Sequence, residues 1–372
     1  MKNVGIFRMT FPEPSETFIS QQAGAFTRYR PTYIAKRRVA DTRWPLVALS
    51  DERAGWLRER AFLLGRWPAL FPLEKLRQLH VIHAHFGVDG VFALPLARRL
   101  DIPLVVTFHG FDILTRREEQ RRSREWPIYQ YLAHLNELKR EGARFLAVSK
   151  YVERALLQEG FARAQVIQHY IGVDTEKFSP GPGETAYGRY VLSVGRHVEF
   201  KGIDTLLRAF ARLPKKFADV TLVQVGAGPL GPRLRALAEE LGLGGRVIFL
   251  GAQPHERVLA LMRAALLFAL PSRTQKNGQG EALGIVFNEA SACGVPVIST
   301  RCGGIPEVVV HGETGLLCDE DDVEFLAQNM GTLLDDPNLR ERMGQCGREY
   351  VLKHFDLHSQ ARKLEDIYDQ IS

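Results

Sequence analysis

The chain alternates short apolar segments with amphipathic segments, and it runs through this pattern twice. Runs of aliphatic, β-branched and aromatic residues between helix-like stretches indicate buried parallel strands of an α/β fold. The Pro/Gly-rich segment SPGPG at 179–183 interrupts the pattern, which then restarts. Because 372 residues are many for one hydrophobic core, we predict two doubly wound α/β domains. The predicted strands are 4–7, 32–35, 81–84, 104–108, 145–148, 166–168, 190–194, 220–225, 246–250, 266–270, 295–299 and 315–318, and the predicted helices of the second half are 202–212, 231–241, 255–264 and 284–293.

The composition is typical of a soluble protein from a reducing compartment. None of the four cysteines belongs to a Cys-x-x-Cys pair, so we expect free thiols, no disulfide framework and a cytoplasmic location. The opening MKNVGIFRMTFPEP has too short an apolar stretch for a signal peptide. The longest nearly apolar run, 259–270, is too short to span a bilayer.

Positive charge is concentrated in the first half. Residues 1–178 hold 28 Lys and Arg against 19 Asp and Glu, a net charge of +9, whereas the remaining 194 residues carry −3. A basic half favours an anionic partner: a membrane surface, a phosphate-bearing substrate or a nucleic acid. The segment 51–71 interleaves arginines with aromatic residues, which suits either an anionic membrane or a helix that packs on the core. No helix-turn-helix, zinc or base-stacking motif supports a nucleic acid partner, so we expect none.

The side chains that indicate chemistry lie in the second half. Arg196 and Lys201 stand five residues apart, at a strand end and near a helix start, and Glu281 and Glu289 have seven residues between them. Two fixed cations suit a diphosphate, and a carboxylate can accept hydrogen bonds from a pair of hydroxyls. These four residues predict a site for a diphosphate attached to a sugar. Paired carboxylates also occur in glycoside hydrolases, but a hydrolase has no evident need for the two cations.

The chain resembles retaining glycosyltransferases of family 4 nearly from end to end. The segments that carry the resemblance are SETFI at 15–19, HAHFG at 83–87, TFHGFD at 107–112, AVSKYV at 147–152, GVDTEKF at 172–178, VGRHVEFKG at 194–202, FLGAQPHERV at 249–258 and GEALGIVFNEASACGVPVIST at 280–300. SETFI, HAHFG and TFHGFD are similar to the branch associated with bacterial exopolysaccharide and lipopolysaccharide assembly.

The resemblance implies the GT-B architecture, in which two Rossmann-like domains face each other across a cleft. We expect an acceptor-binding domain at 1–178 and a nucleotide-sugar-binding domain at 179–355. We expect the C-terminal helix, at about 356–372, to pack back on the first domain.

The resemblance also assigns roles on the donor side. Arg196 and Lys201 would bind the diphosphate, Glu289 the ribose hydroxyls and Glu281 the donor sugar. Ala282 stands where the family usually has glycine, which puts the choice of sugar in question. The other residues expected at the donor are Gly195, Leu283, Gly284, Ile285, Gly226, Gly251, Ala252 and Gln253.

One glycine motif invites a different function. Gly226 opens a formal G-x-G-x-x-G after a predicted strand, as in dinucleotide-binding dehydrogenases. Those proteins also need an acidic residue near the end of the next strand, to bind the ribose. Here that strand ends in Gly-Ala-Gln at 251–253, which argues against a dehydrogenase.

The acceptor side is expected in the first half. His109 follows the predicted strand 104–108, and the resemblance implies that it approaches the donor sugar near the reacting carbon. Asp112 would orient this histidine or bind acceptor. His83 and His85 alternate along one strand and therefore face the same way. No third metal ligand is apparent, so we expect a structural role for the pair, or an acceptor-side role for His85.

The first helix offers three polar residues at its start. Ser15, Glu16 and Thr17 follow the first strand, and they would either cap the helix or bind acceptor, with Glu16 and Thr17 assigned to the acceptor.

The predicted activity is transfer of a sugar from a nucleotide-diphosphate sugar to an acceptor hydroxyl, with retention at the anomeric carbon. We expect no metal and no other cofactor, because Arg196 and Lys201 would replace the usual divalent cation. The expected acceptor is lipid-linked or a glycan, reached by a protein that docks reversibly on an anionic membrane at its inner face. The alternatives are a sugar-nucleotide 2-epimerase of related fold and transfer to a small-molecule secondary metabolite.

Overall fold

The computed structural model describes residues 1–13 and 16–372 and divides the chain into two α/β units. Unit 1 comprises Met1–Gly172 together with Leu357–Ser372, and unit 2 comprises Val173–Asp356. The helix cap or acceptor contact predicted at Ser15 lies outside the described residues.

The boundary between the units falls after Gly172 rather than after residue 178. The amide of Val173 donates to the carbonyl oxygen of Phe355 at 2.8 Å, and the Thr175 hydroxyl donates to the Asp356 carboxylate at 2.9 Å. These bonds hold the residues before SPGPG to the end of unit 2. The Pro/Gly-rich segment therefore follows the boundary instead of marking it.

Unit 1 is built on one sheet of seven parallel strands. Its strands are β1 (Lys2–Phe11), β2 (Tyr29–Arg38), β3 (Leu46–Ala48), β4 (Val81–His85), β5 (Leu104–Phe108), β6 (Arg144–Ala147) and β7 (Val166–Gln168). Its helices are α1 (Thr17–Gly24), α2 (Gly55–Gly65), α3 (Gly87–Leu100), α4 (Phe111–Leu114), α5 (Arg117–Arg122), α6 (Trp126–Glu141) and α7 (Lys150–Gln158). The spatial order is β3-β2-β1-β4-β5-β6-β7. Every residue of β4 and β5 is buried, including His83 and His85 of β4.

Unit 2 contains a sheet of six parallel strands. Its strands are β8 (Tyr190–Val194), β9 (Thr221–Val225), β10 (Val247–Phe249), β11 (Leu267–Ala269), β12 (Val297–Thr300) and β13 (Gly315–Cys318). Its helices are α8 (Ile203–Ala211), α9 (Gly231–Glu240), α10 (His255–Ala264), α11 (Ile285–Ala292), α12 (Val323–Asp335) and α13 (Pro337–His354). The spatial order is β10-β9-β8-β11-β12-β13.

The strand order reverses once in each sheet. In unit 1 the reversal lies between β1 and β4, and in unit 2 it lies between β8 and β11. In open α/β sheets, ligands bind outside the carboxyl ends of the strands at such a switch point. The residues that follow these four strands are therefore candidates for a binding site in each unit.

The C-terminal helix α14 (Leu357–Asp369) belongs to unit 1. The buried Glu365 carboxylate accepts hydrogen bonds from the amides of Thr27, Arg28 and Tyr29 at 2.6–3.1 Å. This side chain satisfies backbone groups at the start of β2 that would otherwise be unpaired.

The twelve strands predicted from the sequence each overlap an observed strand, and the four predicted helices of unit 2 match to within one residue at either end. The three-residue edge strand β3 is missed. It pairs with β2 along Tyr33, Ile34 and Ala35, and it is too short to show an alternation of its own. Within residues 1–13 and 16–372, no helix combines the length and apolar character needed to cross a membrane.

Candidate active site

In unit 2, the segment after β8 approaches the loop after β11 at a distance that only glycine permits. Gly202 has a φ of +61°, and a Cβ on it would clash with the carbonyl oxygen of Pro271. The amide of Arg273 donates to the carbonyl oxygen of Phe200 at 2.8 Å in the same contact. This packing fixes Lys201, the residue before the glycine, at the switch point of the sheet.

Lys201 and Glu281 form an ion pair. Lys201 Nζ lies 2.5 Å from Glu281 Oε2, and Ser272 Oγ lies 3.3 Å from the same oxygen. The exposed fractions of the two charged side chains are only 13% and 11%, so water screens the pair weakly. The fold thus brings together two predicted site residues that are 80 positions apart.

Arg196 lies beyond the carboxyl end of β8, and its side chain is exposed. In the described part of the chain, no carboxylate forms an ion pair with its guanidinium. An arginine that presents its planar set of N–H donors to solvent can bind a phosphate in a bidentate manner. The two predicted cations therefore differ: Lys201 is already paired, whereas Arg196 is available to an anion.

The backbone after Glu281 leads directly into α11. Gly284, with a φ of +85°, precedes the first helical residue, Ile285. Ala282 is 9% exposed and is not among the described non-glycine residues with positive φ, so its methyl group imposes no backbone strain. A Cβ on Gly304 would clash with the Ala282 carbonyl oxygen, and the Gly304 amide donates to the Glu281 carbonyl oxygen at 2.9 Å.

Glu289 lies in the second turn of α11 and is half-buried. In residues 1–13 and 16–372, no hydrogen bond or ion pair engages its carboxylate. Burial raises the pKa of Glu289 to about 7, against a smaller opposing effect of Lys177. A poorly solvated carboxylate without a partner can accept hydrogen bonds from the hydroxyl groups of a ligand.

The loops after β9 and β10 meet the end of β8. The Gly226 amide donates to the Gly251 carbonyl oxygen at 2.8 Å, and a Cβ on Gly226 would clash with the Gly195 carbonyl oxygen. Ala252 is exposed, whereas the side-chain amide of Gln253 donates to the backbone oxygen of Leu250 at 2.5 Å. Of the remaining residues predicted at the donor, Leu283 is buried and Ile285 is half-buried.

In unit 1, His85 and His109 come together at the carboxyl ends of β4 and β5. His85 Nδ1 and His109 Nε2 are 3.0 Å apart, and one of them carries the shared proton. The Phe18 and Phe86 rings lie 5.0 Å and 4.6 Å from the His109 ring, between centroids. The predicted active-site histidine is thus held by a second histidine and two aromatic rings.

His83 has a structural environment. Its Nδ1 lies 2.6 Å from the Tyr368 hydroxyl on α14, and its Nε2 lies 2.7 Å from the Thr107 hydroxyl. The His83 and His85 rings stack, with centroids 4.4 Å apart and an interplanar angle of 26°. The prediction that they face the same way is confirmed, and both ring nitrogens of His83 are occupied within the fold.

All three histidines are disposed to remain neutral. Burial lowers the pKa of His83 to about 3. Burial also lowers the pKa of His85 and of His109 well below the usual range, and the Arg8 guanidinium adds to the effect on His109. In neutral imidazole one nitrogen donates and the other accepts, so the contact between His85 and His109 couples the tautomers of the two rings.

Glu16 binds an arginine rather than capping α1. Arg8 Nε and Nη2 donate to the two Glu16 carboxylate oxygens at 2.9 Å and 2.8 Å, and Arg8 Nη1 also contacts Asp89. The Glu16 side chain makes no capping hydrogen bond to α1, whose first residue is Thr17. The Arg8 guanidinium further lies 4.5 Å from the centroid of the Phe86 ring.

Asp112 supports backbone rather than facing a ligand. It is fully buried, and its two carboxylate oxygens accept from the amides of Gly87 at 2.6 Å and Gly110 at 3.0 Å. Burial raises the pKa of Asp112 to about 6, which the two amides partly offset. Its geometry favours the orienting role predicted for it, because it fixes the turns that follow β4 and β5.

Three buried polar residues of the site were not predicted. Arg8 in β1 contacts Asp89 in the first turn of α3, and the sequence signal was the charged residue directly after the predicted strand 4–7. Asn288, adjacent to Glu289, is fully buried, and its side-chain amide finds no partner in the described residues. No spacing rule singles out Asn288, which lies between Phe287 and the predicted site residue Glu289.

No group of three or more His, Cys, Asp or Glu side chains that could hold a metal ion occurs within residues 1–13 and 16–372. The arrangement in unit 2 instead offers one paired cation, one unpaired cation and one unpaired carboxylate at a switch point. Such a set can bind a phosphate-bearing ligand and hydroxyl groups together.

Comparison with known proteins identifies the class. The family model described as Glycosyltransferase Family 4 matches residues 29–177, and the one described as Glycosyl transferases group 1 matches residues 174–350. The structure of HepE from Anabaena, solved in complex with UDP, superposes with a TM-score of 0.79 at 22% identity over 100% of both chains. The two parallel sheets are those of a GT-B glycosyltransferase.

Two curated relatives show the family of the chain. A GDP-mannose-dependent alpha-(1-6)-phosphatidylinositol monomannoside mannosyltransferase of Mycolicibacterium smegmatis is 37% identical over 297 residues, which are 76% of this chain and 75% of that protein. WcaL of Escherichia coli K12, a glycosyltransferase provisionally assigned to colanic acid biosynthesis, is 31% identical over 88% of this chain and 89% of that protein. The chain belongs to glycosyltransferase family 4.

Proposed function

We propose that the chain is a retaining, metal-independent glycosyltransferase that moves a sugar from a nucleotide-diphosphate sugar to an acceptor hydroxyl. The observation that carries this proposal is the set of charges at the switch point of unit 2. There Lys201 is paired with Glu281, Arg196 is exposed without a carboxylate partner, and Glu289 is half-buried without one.

The charged side chains of this set are complementary to the charge that develops during sugar transfer. When the bond between the anomeric carbon and the phosphate oxygen breaks, the leaving diphosphate gains negative charge, which Arg196 and Lys201 would stabilise. Glu289 would accept hydrogen bonds from the ribose hydroxyls. Glu281 would contact the donor sugar while it remains paired with Lys201.

Retention follows from a front-face displacement in this proposal. The acceptor oxygen forms its bond to the anomeric carbon on the face that the phosphate leaves, and the acceptor proton passes to the leaving phosphate oxygen. Glu281 is a poor candidate for a covalent nucleophile, because one of its oxygens is already engaged by Lys201 and Ser272. The role that the family resemblance implies for His109, near the reacting carbon of the donor sugar, is part of the same proposal.

The proposed acceptor is lipid-linked or a glycan. The net charge of +9 on residues 1–178 supports a phosphate-bearing acceptor or an anionic membrane near unit 1. The two relatives described above support this acceptor: one is a phosphatidylinositol monomannoside mannosyltransferase, and the other is assigned to colanic acid biosynthesis. The proposed location is cytoplasmic, with peripheral contact at the inner face of the membrane.

The test is incubation of the protein with a panel of nucleotide sugars in the presence of a chelator, with and without a lipid-linked glycan fraction. We expect transfer from one donor only when acceptor is present, and NMR of the product should show the anomeric configuration of the donor. Conversion of the donor alone to its 2-epimer would identify an epimerase instead. Inversion, or activity that requires a divalent ion, would contradict the proposed mechanism.

A further inference from the structure

A cluster of exposed hydrophobic side chains covers one region of unit 1. Among the described residues, six of the eleven large hydrophobic side chains that are exposed belong to it. We call this cluster the α2–α6 surface. Its residues are Trp56, Leu57, Leu64, Trp67, Trp126 and Tyr129, with exposed fractions from 43% to 63%. The cluster contains three of the four tryptophans of the chain, and large apolar patches of this kind usually mark an interaction site.

The helix α2 carries large apolar residues on both its buried and its exposed face. Trp56, Arg60 and Leu64 follow one another at intervals of four residues and are all exposed, so they share the outward face. The buried face carries Phe62, which is fully buried, and Glu59, whose carboxylate lies 3.2 Å from Lys36 Nζ. A surface helix of a globular domain normally buries its apolar stripe and exposes its charges. Folding of unit 1 therefore does not explain the apolar residues on the outward face.

The outward face of α2 is continuous with the start of α6. Trp126 Nε1 donates to the carbonyl oxygen of Leu63 at 2.6 Å, and Gln130 donates to that of Leu64 at 2.8 Å. The Trp126 and Tyr129 rings stack with centroids 5.1 Å apart. These hydrogen bonds hold the start of α6 against α2. The two helices therefore present a single apolar surface.

Cations flank this surface. The exposed arginines in and next to α2 and α5, none of which forms an ion pair within the described residues, are Arg53, Arg60, Arg116, Arg121 and Arg124. Exposed carboxylates without a cation partner in the same segments are fewer, namely Glu118 and Glu125. The surface thus combines indole rings with an excess of positive charge.

We propose that the α2–α6 surface docks unit 1 on an anionic phospholipid bilayer. Indole rings favour the headgroup level, where their apolar body is buried and their N–H stays hydrated. The arginines would face lipid phosphates, and an apolar face with basic flanks is the arrangement found in helices that lie in the membrane interface. This docking rests on the proposed function for its purpose, which is to bring the enzyme to a lipid-linked acceptor.

The test is co-sedimentation of the full-length protein with phosphatidylcholine vesicles that contain or lack phosphatidylglycerol. The protein should sediment with the anionic vesicles and dissociate as salt is raised. The W56Q/L64Q variant should bind about tenfold more weakly or worse, because it removes two side chains that would be buried in the interface. Gln keeps the helix propensity of α2 high, so the variant should fold.

Two matched variants serve as controls. F325Q changes an exposed phenylalanine (51% exposed) in unit 2, and R233E changes an exposed arginine there. Both should sediment like the wild type. R60E should weaken binding at low salt, which isolates the electrostatic part.

Three results would overturn the proposal: no sedimentation with either vesicle, equal sedimentation with both, or unchanged sedimentation of W56Q/L64Q. A wild-type dimer that W56Q/L64Q converts to monomer, without vesicle binding, would make the surface an interface between copies and would also overturn it.

Titration with UDP and GDP in the absence of vesicles tests the proposed function separately. W56Q/L64Q should bind these nucleotides like the wild type.

Discussion

The ammonium of Lys201 lies 2.5 Å from the carboxylate of Glu281 and joins two sequence motifs that are 80 residues apart. The contact depends on Gly202, which lets the turn after β8 approach the loop after β11. Ser272 completes it as a third partner. A donor diphosphate would therefore meet a lysine that a carboxylate already holds in position, rather than a mobile side chain.

Substitution of Lys201 should reduce both activity and stability. K201A leaves the Glu281 carboxylate poorly solvated and unpaired, which should lower the free energy of unfolding of unit 2 by about 2–4 kcal/mol. It should also lower kcat by about 10²-fold, the scale for loss of one preorganised charge at the leaving group. Urea denaturation and initial-rate assays measure the two effects.

The matched control is K216A. Lys216 is paired with Asp335, and both side chains are more than half exposed. Such a surface pair contributes roughly 0–1 kcal/mol to the free energy of unfolding, so K216A should change neither stability nor kcat by much. Equal effects of K201A and K216A would refute the special role of the buried pair.

Substitution of Glu289 should weaken nucleotide binding but stabilise the fold. E289Q should weaken nucleotide binding by about 1–3 kcal/mol, because a carboxylate accepts hydroxyl donors more strongly than an amide. The same variant should raise the free energy of unfolding at alkaline pH, because it removes a charge from a half-buried position. Calorimetric titration and urea denaturation test the two effects, and a variant that loses both stability and affinity would argue for a purely structural Glu289.

The pH dependence follows from the pKa of Glu289, which burial raises to about 7 from an ordinary 4.5. A raised folded-state pKa means that the contribution of this group to stability is fully present below pH 4.5 and is lost as the pH rises to about 7. Nucleotide affinity should change in the opposite direction and increase through pH 7, because the ionised carboxylate binds the ribose. Affinity of the wild type that is flat over this interval, or that rises equally in E289Q, would contradict the assignment.

The sequence predicts the strands of the two sheets well, because buried parallel strands are largely continuous apolar runs. The candidate residues Arg196 and Lys201 lie in the segment after one such run, β8, and Glu281 lies in the segment between β11 and α11. The direct contact between Lys201 and Glu281 could not be predicted, because spacing along the chain does not report the approach of two loops across a sheet. That approach depends on the absence of a Cβ at Gly202.

Gly202 itself can be tested against another glycine of similar backbone conformation. G202A should cost several kcal/mol, since its Cβ would meet the backbone of Pro271 and the residue would also adopt a positive φ. Gly312 has a φ of +84° but open space around its Cβ position, so G312A should cost only about 1–2 kcal/mol. Thermal unfolding of both variants measures the difference, and similar losses would show that the clash relaxes easily.

The contact between His85 and His109 predicts a graded series of variants. H85L removes the partner of His109 Nε2 and should lower kcat by about tenfold, since the ring loses its fixed orientation. H85N can place an amide near the former Nδ1 position and should restore part of the rate. H83L serves as the control, because His83 hydrogen-bonds Tyr368 and Thr107 and stacks on His85 without a hydrogen bond to His109. It should affect stability more than kcat. H85L with the kcat of the wild type would refute the positioning role.

In unit 1 the sequence leaves the roles of two polar residues open. It assigns Glu16 to the acceptor, and Asp112 either to the acceptor or to the orientation of His109. In the structure Glu16 is held by Arg8, and Asp112 is buried against two backbone amides. A polar residue near a strand end can serve the ligand or satisfy the fold, and only the positions of its partners distinguish the two. The partner of Glu16 is Arg8, which lies within β1 directly after the predicted strand 4–7.

Arg196 should bind the diphosphate of a nucleotide sugar. The most direct measurement is calorimetric titration of the wild type and R196A with UDP, GDP and the corresponding monophosphates, in the presence of a chelator. One diphosphate should bind the wild type about tenfold more tightly than its monophosphate, and R196A should lose most of this difference. An undiminished preference in R196A, or failure of every diphosphate to bind without a divalent ion, would contradict this expectation.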